Sequence, residues 1–204
     1  VLPKLLPAYA GELLLSELKH LEDALSPKRR PLAIILGGGK LDKKVGVIQN
    51  LSKKAAKIIL GSAILNNPSM VDITSPKIMV PVDAVTENDE AFDIGPLTRK
   101  EVEEVLRGMK TVIWNGPVGE FEHPRYRKGS EYIAKTIAHS RIYSVVGGGE
   151  TTQLFTELGL EDKVNFLSTG GGAMLAFLAG ETLPGVAALE GAASPAKRAG
   201  SPKK

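Results

Sequence analysis

The stretch LAIILGGGKLDKKVGVIQNL, residues 32–51, opens on five apolar residues, gives up its side chains at Gly37–Gly39 and closes on Val45, Ile48 and Leu51 at helical spacing. An unbroken apolar run suits a strand buried on both faces, and the spacing that follows suits a helix packed on that sheet. Strand, glycine turn and helix form the repeating unit of a parallel α/β sheet. Five further runs repeat the first part: KIIL (57–60), KIMVPV (77–82), TVIW (111–114), IYSVV (142–146) and VNFL (164–167).

Helical patterns lie between most of these runs. Leu14, Leu18, Leu21 and Leu25 predict a helix over 11–25, and the pattern from Val45 extends to Ala55. Val102, Val105, Leu106 and Met109 predict another, with Thr98 as N-cap and Glu101 three residues on as a capping box. Ile133 and Ile137 mark a third; Leu154, Phe155 and Leu158 mark a fourth that stops at Gly159; residues 173–179 form a fifth ending at Gly180. The alternation predicts an α/β fold: a doubly wound, mostly parallel six-stranded sheet in a three-layer αβα arrangement, one domain over residues 1–190. Two intervals break the rhythm, GSAILNNPSMVDITSP (61–76) and DAVTENDEAFDIGP (83–96). Their turn chemistry reads either as functional loops or as places where residues of a longer natural chain are absent.

The 204 residues are 43% hydrophobic and 24% charged, ordinary for a globular domain, and include no cysteine. Disulfides and thiolate metal sites are therefore excluded, and the composition fits a reducing compartment. The net charge of +3 comes from the end of the chain: residues 191–204 carry Lys197, Arg198, Lys203 and Lys204 and no acid, so without those four the remainder is −1. A tail of this composition is expected to be disordered, and the nearly neutral body suggests no nucleic-acid-binding surface. No segment approaches the ~20 apolar residues of a membrane span, and the start lacks a signal peptide's apolar core. The first residue, Val1, is expected of a chain that begins inside a larger polypeptide.

GGG occurs three times, at 37–39, 147–149 and 170–172, each time at the end of an apolar run and ahead of a helix. A strand-to-helix turn alone accounts for any single triplet. Three in equivalent positions favour an anionic ligand, because glycine lets backbone N–H groups approach phosphate and a helix N-terminus adds positive potential. Neither G-x-x-x-x-G-K-[ST] nor a helix-opening G-x-G-x-x-G is present, so the phosphate site is of another design. Lys40 and Lys44, four apart, share a face if the helix has begun, and both then aim at one phosphate chain. Glu150 follows the second triplet; a carboxylate beside phosphate calls for a cation, and Mg²⁺ held by one carboxylate plus phosphates fits. The plainer alternative is an acid satisfying the helix dipole.

Together ILGGGKLDKKVGVIQNL (35–51), VIWNGPVGEFE (112–122), VVGGGETT (145–152), LSTGGGAML (167–175) and LPGVAAL (183–189) resemble the C-terminal domain of phosphoglycerate kinase, over roughly residues 7–189 and in the right order. The resemblance implies a Rossmann-like domain that binds MgATP or MgADP. A separate N-terminal domain binds 3-phosphoglycerate, and the enzyme transfers a phosphoryl group between 1,3-bisphosphoglycerate and ADP. It implies that Gly38, Gly39, Lys40 and Lys44 meet the nucleotide phosphates, with Lys44 also at the transferring group. It implies that Asn115, Gly116, Pro117 and Val118 form a loop near the nucleotide and that Glu122 takes the ribose hydroxyls. Gly61 and Phe92 fall at the adenine pocket, and Gly148, Gly149, Glu150 and Thr151 at the phosphates, with Glu150 as Mg²⁺ ligand. Thr169, Gly170, Gly171 and Gly172 are the helix entry that meets the transferring phosphate. A monomeric cytoplasmic enzyme, with neither nucleic acid nor membrane as partner, is the corresponding expectation.

The sequence departs from the family pattern in three ways. Glu150 stands where Asp is usual, LGSAIL (60–65) replaces a further glycine cluster within a shortened 61–92 region, and the N-terminal domain is missing. Alone, the chain is expected to bind nucleotide and to turn over poorly or not at all. The second reading is a catalytically impaired kinase-like domain serving as a structural or interaction module. His20, His123 and His139 are read as surface residues.

Overall fold

The computed structural model describes residue 6 and residues 8–193. The chain forms helix α1 (Glu12–Leu25), strand β1 (Leu32–Leu36), helix α2 (Val45–Leu51), strand β2 (Lys57–Leu60), the one-turn helix α3 (Ala63–Asn66) and strand β3 (Ile78–Met79). Strands β4 (Ala84–Glu87) and β5 (Glu90–Ile94), helix α4 (Pro96–Arg107), strand β6 (Thr111–Asn115) and helix α5 (Lys128–Ala138) follow. Strand β7 (Tyr143–Gly147), helix α6 (Gly149–Glu157), strand β8 (Phe166–Ser168), helix α7 (Gly171–Ala179) and helix α8 (Pro184–Ala193) complete it.

All six expected strands form, and they pair in one parallel sheet of order β3-β2-β1-β6-β7-β8. Counting only these six, the order is 3-2-1-4-5-6, the doubly wound arrangement whose winding reverses between β1 and β6. Alternation within β1 sends Leu32, Ile34 and Leu36 into a core with α1, α2 and α7, and Ala33 and Ile35 into a second core with α4, α5 and α6. Two apolar layers on one sheet make the three-layer fold. Trp114 and Phe155, both fully buried, meet edge to face in the second layer at 5.8 Å.

The segment 83–96 is a β-hairpin rather than an open loop. β4 and β5 pair antiparallel around Asn88 and Asp89, both with positive φ (48° and 65°). Asn and Asp tolerate that conformation, which a two-residue hairpin turn requires. The capping box at Thr98 does not form. Helix α4 starts earlier, with Gly95 as N-cap and Pro96 next, so Thr98 lies inside its first turn. Asp83 caps the helix instead: its carboxylate accepts the Leu97 amide at 2.9 Å and the Thr98 amide at 2.7 Å. Helix α8 takes in the first three residues of the expected tail; residues 194–204, where the disordered basic tail is expected, lie outside the described residues. Among the described residues no single helix is long and apolar enough to cross a membrane.

Candidate functional site

The carboxyl ends of β1 and β6 lie side by side at the reversal of winding, where open α/β sheets leave a crevice. Gly37 follows β1 and packs directly on the loop that follows β6. A Cβ at Gly37 would overlap the Pro117 carbonyl, so only glycine fits. The Gly38 amide donates to the Pro117 carbonyl at 2.6 Å, with Gly38 at φ 76°. Gly39 faces open space. In the second triplet Gly147 is close-packed on Met174, Gly148 has positive φ (94°) and Gly149 is unobstructed; in the third Gly170 has more room, Gly171 has positive φ (39°) and Gly172 is unobstructed. Packing and backbone conformation thus explain two of the three glycines in the first two turns and one, Gly171, in the last, and the third glycine of each turn is unobstructed.

A cavity of about 340 Å³ opens between these elements. Gly38, Gly39 and Glu150 line it near Lys44, and the loop after β6 (Pro117, Val118, Gly119, Glu120, Phe121 and Glu122) together with Ser62, Ala63, Asn66, Ala91 and Phe92 completes the lining, with the Phe92 carbonyl bonded to the Glu120 amide. Of the residues named from sequence, Gly38, Gly39, Phe92, Pro117, Val118, Glu122 and Glu150 therefore meet in one cavity. Gly116 and Gly148 are packed just behind it, where a Cβ on Gly148 would lie 3.2 Å from the Gly116 nitrogen and 3.7 Å from Asn115 Oδ1. Asn115 is buried, with Nδ2 3.6 Å from Met174 Sδ. Gly149 begins α6 beside Glu150. The single tryptophan fixes the loop: Trp114 Nε1 donates to the Gly116 carbonyl at 2.7 Å.

Lys44 lies beneath the glycine turn, 4% exposed, its ammonium donating to the Gly37 carbonyl. Burial lowers its pKa to about 8; the nearby charges of Glu150 and Asp42 counter the shift, and Lys40 adds to it. Lys40 itself is exposed and outside the cavity lining. The two lysines part because residues 41–44 form a 3-10 turn. At about three residues per turn, side chains four apart no longer share a face. Thr151, behind Glu150, is fully buried, and its Oγ1 has no hydrogen-bond partner among the described residues.

Three other expectations are placed elsewhere. Gly61 does not line the cavity: a Cβ there would sit 2.9 Å from Val118 and 3.1 Å from Gly37, so the residue lets strand β2 pass under both loops, while Ser62 next to it reaches the lining. Thr169 and Gly170 lie over a separate apolar groove with Leu14, Leu18 and Met174, and neither they nor Gly171 and Gly172 line the first cavity. His20 is half-buried, stacked on Phe166 at 4.3 Å and hydrogen-bonded to the Tyr143 hydroxyl at 2.7 Å.

The sequence reading missed several buried polar residues that hold the loops at the sheet's carboxyl edge. Asn66 bonds both backbone groups of Ala91 (2.9 and 3.0 Å), tying α3 to the hairpin. Glu17 of α1, 9% exposed, accepts from Ser168 Oγ at 2.7 Å, the Thr169 amide at 2.7 Å and Thr169 Oγ1 at 3.0 Å. An acid within the apolar stripe of α1, three residues after Leu14 and four before Leu21, was the available signal. Asp93, fully buried on β5, stands in the same way between Phe92 and Ile94, and burial pushes its carboxyl up to about 6.

Fold and cavity together define a doubly wound α/β protein with a ligand-sized cleft at the reversal of winding, backed by a buried lysine and floored by glycine turns. The family model for phosphoglycerate kinase matches residues 1–72 and 66–181. This chain belongs to that family. It is similar in structure to phosphoglycerate kinase from Coxiella burnetii, at 30% identity and a TM-score of 0.79, over 89% of this chain and 58% of that one. The corresponding values for phosphoglycerate kinase from Pyrococcus horikoshii OT3 are 27% identity, a TM-score of 0.79, and 93% and 59% coverage. The chain thus spans somewhat less than three fifths of the length of either relative.

Proposed function

We propose that the chain is the nucleotide-binding half of a cytoplasmic phosphoglycerate kinase, supplying the MgATP/MgADP site for reversible phosphoryl transfer between 1,3-bisphosphoglycerate and ADP. The observation that carries this reading is the 340 Å³ cavity, which brings Gly38, Gly39 and Glu150, close to the buried Lys44, together with Phe92 and Glu122. This lining suits a nucleotide laid along the crevice, with its phosphates over Gly38, Gly39 and Gly148, its ribose at Glu122 and its base against Phe92. The 3-phosphoglycerate and its binding domain belong to the part of the relatives' length that this chain does not span.

Phosphoryl transfer asks a protein for position and for neutralisation of spreading negative charge, not for a covalent nucleophile. Lys44 suits the second task. Held under the glycine turn, its ammonium is poorly solvated, and the charges of Glu150 and Asp42 offset burial only in part, so a phosphate chain supplies what burial removed. The outward-facing Gly39 and Gly149 let phosphate oxygens approach the backbone amides.

The residues present fit a magnesium ion as the family implies it. Glu150 lines the cavity with Gly38 and Gly39 and lies near Lys44, Thr151 offers an unpartnered buried hydroxyl behind it, and no cluster of three or more acidic, histidine or cysteine ligands occurs among the described residues. One carboxylate with nucleotide phosphates completing the shell is how Mg²⁺ is commonly held. When bound, the ion offsets phosphate charge. Glu150 would hold it, and its charge would add to that of Lys44 in offsetting the phosphates.

Titration calorimetry with ADP tests the proposal: saturable binding strengthened by Mg²⁺ and lost in Lys44→Ala or Glu122→Ala supports it. The alternative role as a structural or interaction module is favoured by Glu150 in place of Asp. Coupled turnover by a full-length protein carrying this domain would rule that alternative out.

A further inference from the structure

Asp93 is the buried ionisable group that the proposed chemistry leaves unused. It follows Phe92 on β5 and bonds, besides its own strand, to two other pieces of chain. Its Oδ2 accepts the Gly129 amide from the start of α5 at 2.7 Å, its Oδ1 accepts the Ile94 amide at 2.9 Å, and the Arg99 guanidinium of α4 lies 3.3 Å away. Glu131 on α5 adds an opposing negative charge. Gly119 packs so closely on this carboxylate that a Cβ would overlap Oδ1, and the same holds at Gly129. Beside this contact the Glu120 amide donates to the Phe92 carbonyl at 2.8 Å, and the Val118 amide to the buried Ser130 hydroxyl at 2.9 Å.

A carboxylate kept out of water is unfavourable unless its partners offset the loss, so such a group fixes its partners' positions sharply. Here those partners carry both walls of the far end of the cavity: Phe92 on β5, and Glu120 and Glu122 on the loop after β6. The near end is built differently. Gly38 and Gly39 are fixed by the contact of the first triplet with Pro117, and Glu150 by α6. Neither element bonds to Asp93.

We infer that Asp93 is a positioning residue for the base and ribose end of the cavity and has no part in holding the phosphate chain. This rests on the nucleotide reading above. It separates two ligands that the same cavity would bind: ADP, which needs both ends, and inorganic tripolyphosphate, which needs only the glycine end.

The test titrates both ligands in parallel into the wild-type chain, Asp93→Asn, Asp93→Ala and Lys44→Ala, at one pH and one Mg²⁺ concentration. Asp93→Ala is expected to weaken ADP about tenfold or more, the scale of losing hydrogen bonds to a charged group. Asp93→Asn, which keeps the volume and one acceptor oxygen, recovers part of that loss. Tripolyphosphate affinity stays within about twofold in both, as for independent sites. Equal weakening of the two ligands would make Asp93 a general scaffold residue and overturn the inference, as would unchanged ADP binding. If Asp93→Ala does not fold, Asp93→Asn carries the same comparison. Failure of the nucleotide reading looks different: the wild-type chain then binds neither ligand.

Discussion

The first and third glycine turns share a positive-φ glycine followed by an open one, yet they face different surroundings. The turn at 37–39 looks into a polar cavity with a buried cation beneath it. The turn at 170–172 adjoins an apolar groove, and the residues leading into it, Ser168 and Thr169, are already engaged by the Glu17 carboxylate. An anion arriving at Thr169 meets a resident negative charge; one arriving at Gly39 does not. Glycine geometry therefore makes a site possible, and the charge of the neighbouring element decides what the turn receives.

The largest effect that contrast predicts separates two adjacent glycines. Gly37→Ala forces a Cβ into the Pro117 carbonyl and should destabilise the fold by more than about 3 kcal/mol, whereas Gly39→Ala should leave the melting temperature nearly unchanged. Thermal denaturation of both variants checks it. Next, Lys44→Ala should weaken ADP about 30-fold, the scale of a charge-assisted contact, while Lys40→Ala costs much less; calorimetry on the pair decides whether burial selects the phosphate lysine.

A third variant probes the other turn. Glu17→Ala removes three hydrogen bonds to a buried carboxylate and should cost about 1.5–3 kcal/mol of stability in denaturant unfolding, with ADP affinity unchanged. A loss of ADP affinity would break the contrast by joining the two turns into one site.

The pH dependence is subtler. Because the folded-state pKa of Lys44 is depressed from 10.5 to about 8, the folded chain releases that proton first. The cost of burying the charge is fully present below about 8 and is relieved as pH rises toward 10.5. Nucleotide binding needs the charged form, so ADP affinity should fall as pH rises through about 8, and a Lys44→Arg variant should lose that dependence.

Strands were readable from the sequence because residues buried on both faces leave a continuous apolar run, as in LAIIL and IYSVV, and all six formed in the sheet. The β4–β5 hairpin was not, since its strands are half-exposed and its turn signal, Asn88-Asp89, lacks glycine. The glycine turns and the residues after them stood out as motifs, so much of the cavity was named beforehand. The buried acids that fix the loops were not: Asp93, beside the cavity, acts on a residue 36 positions away, Glu17, at the other turn, on one 151 away, and no local pattern encodes such partners. The shared-face reading of Lys40 and Lys44 failed because it assumed α-helical geometry where the chain forms a 3-10 turn.

The most direct test is a calorimetric titration of ADP into the chain, with and without Mg²⁺. The cavity described here predicts saturable one-site binding that tightens with Mg²⁺ and loses that tightening in Glu150→Ala. No saturable heat at millimolar ADP, in either condition, would contradict it.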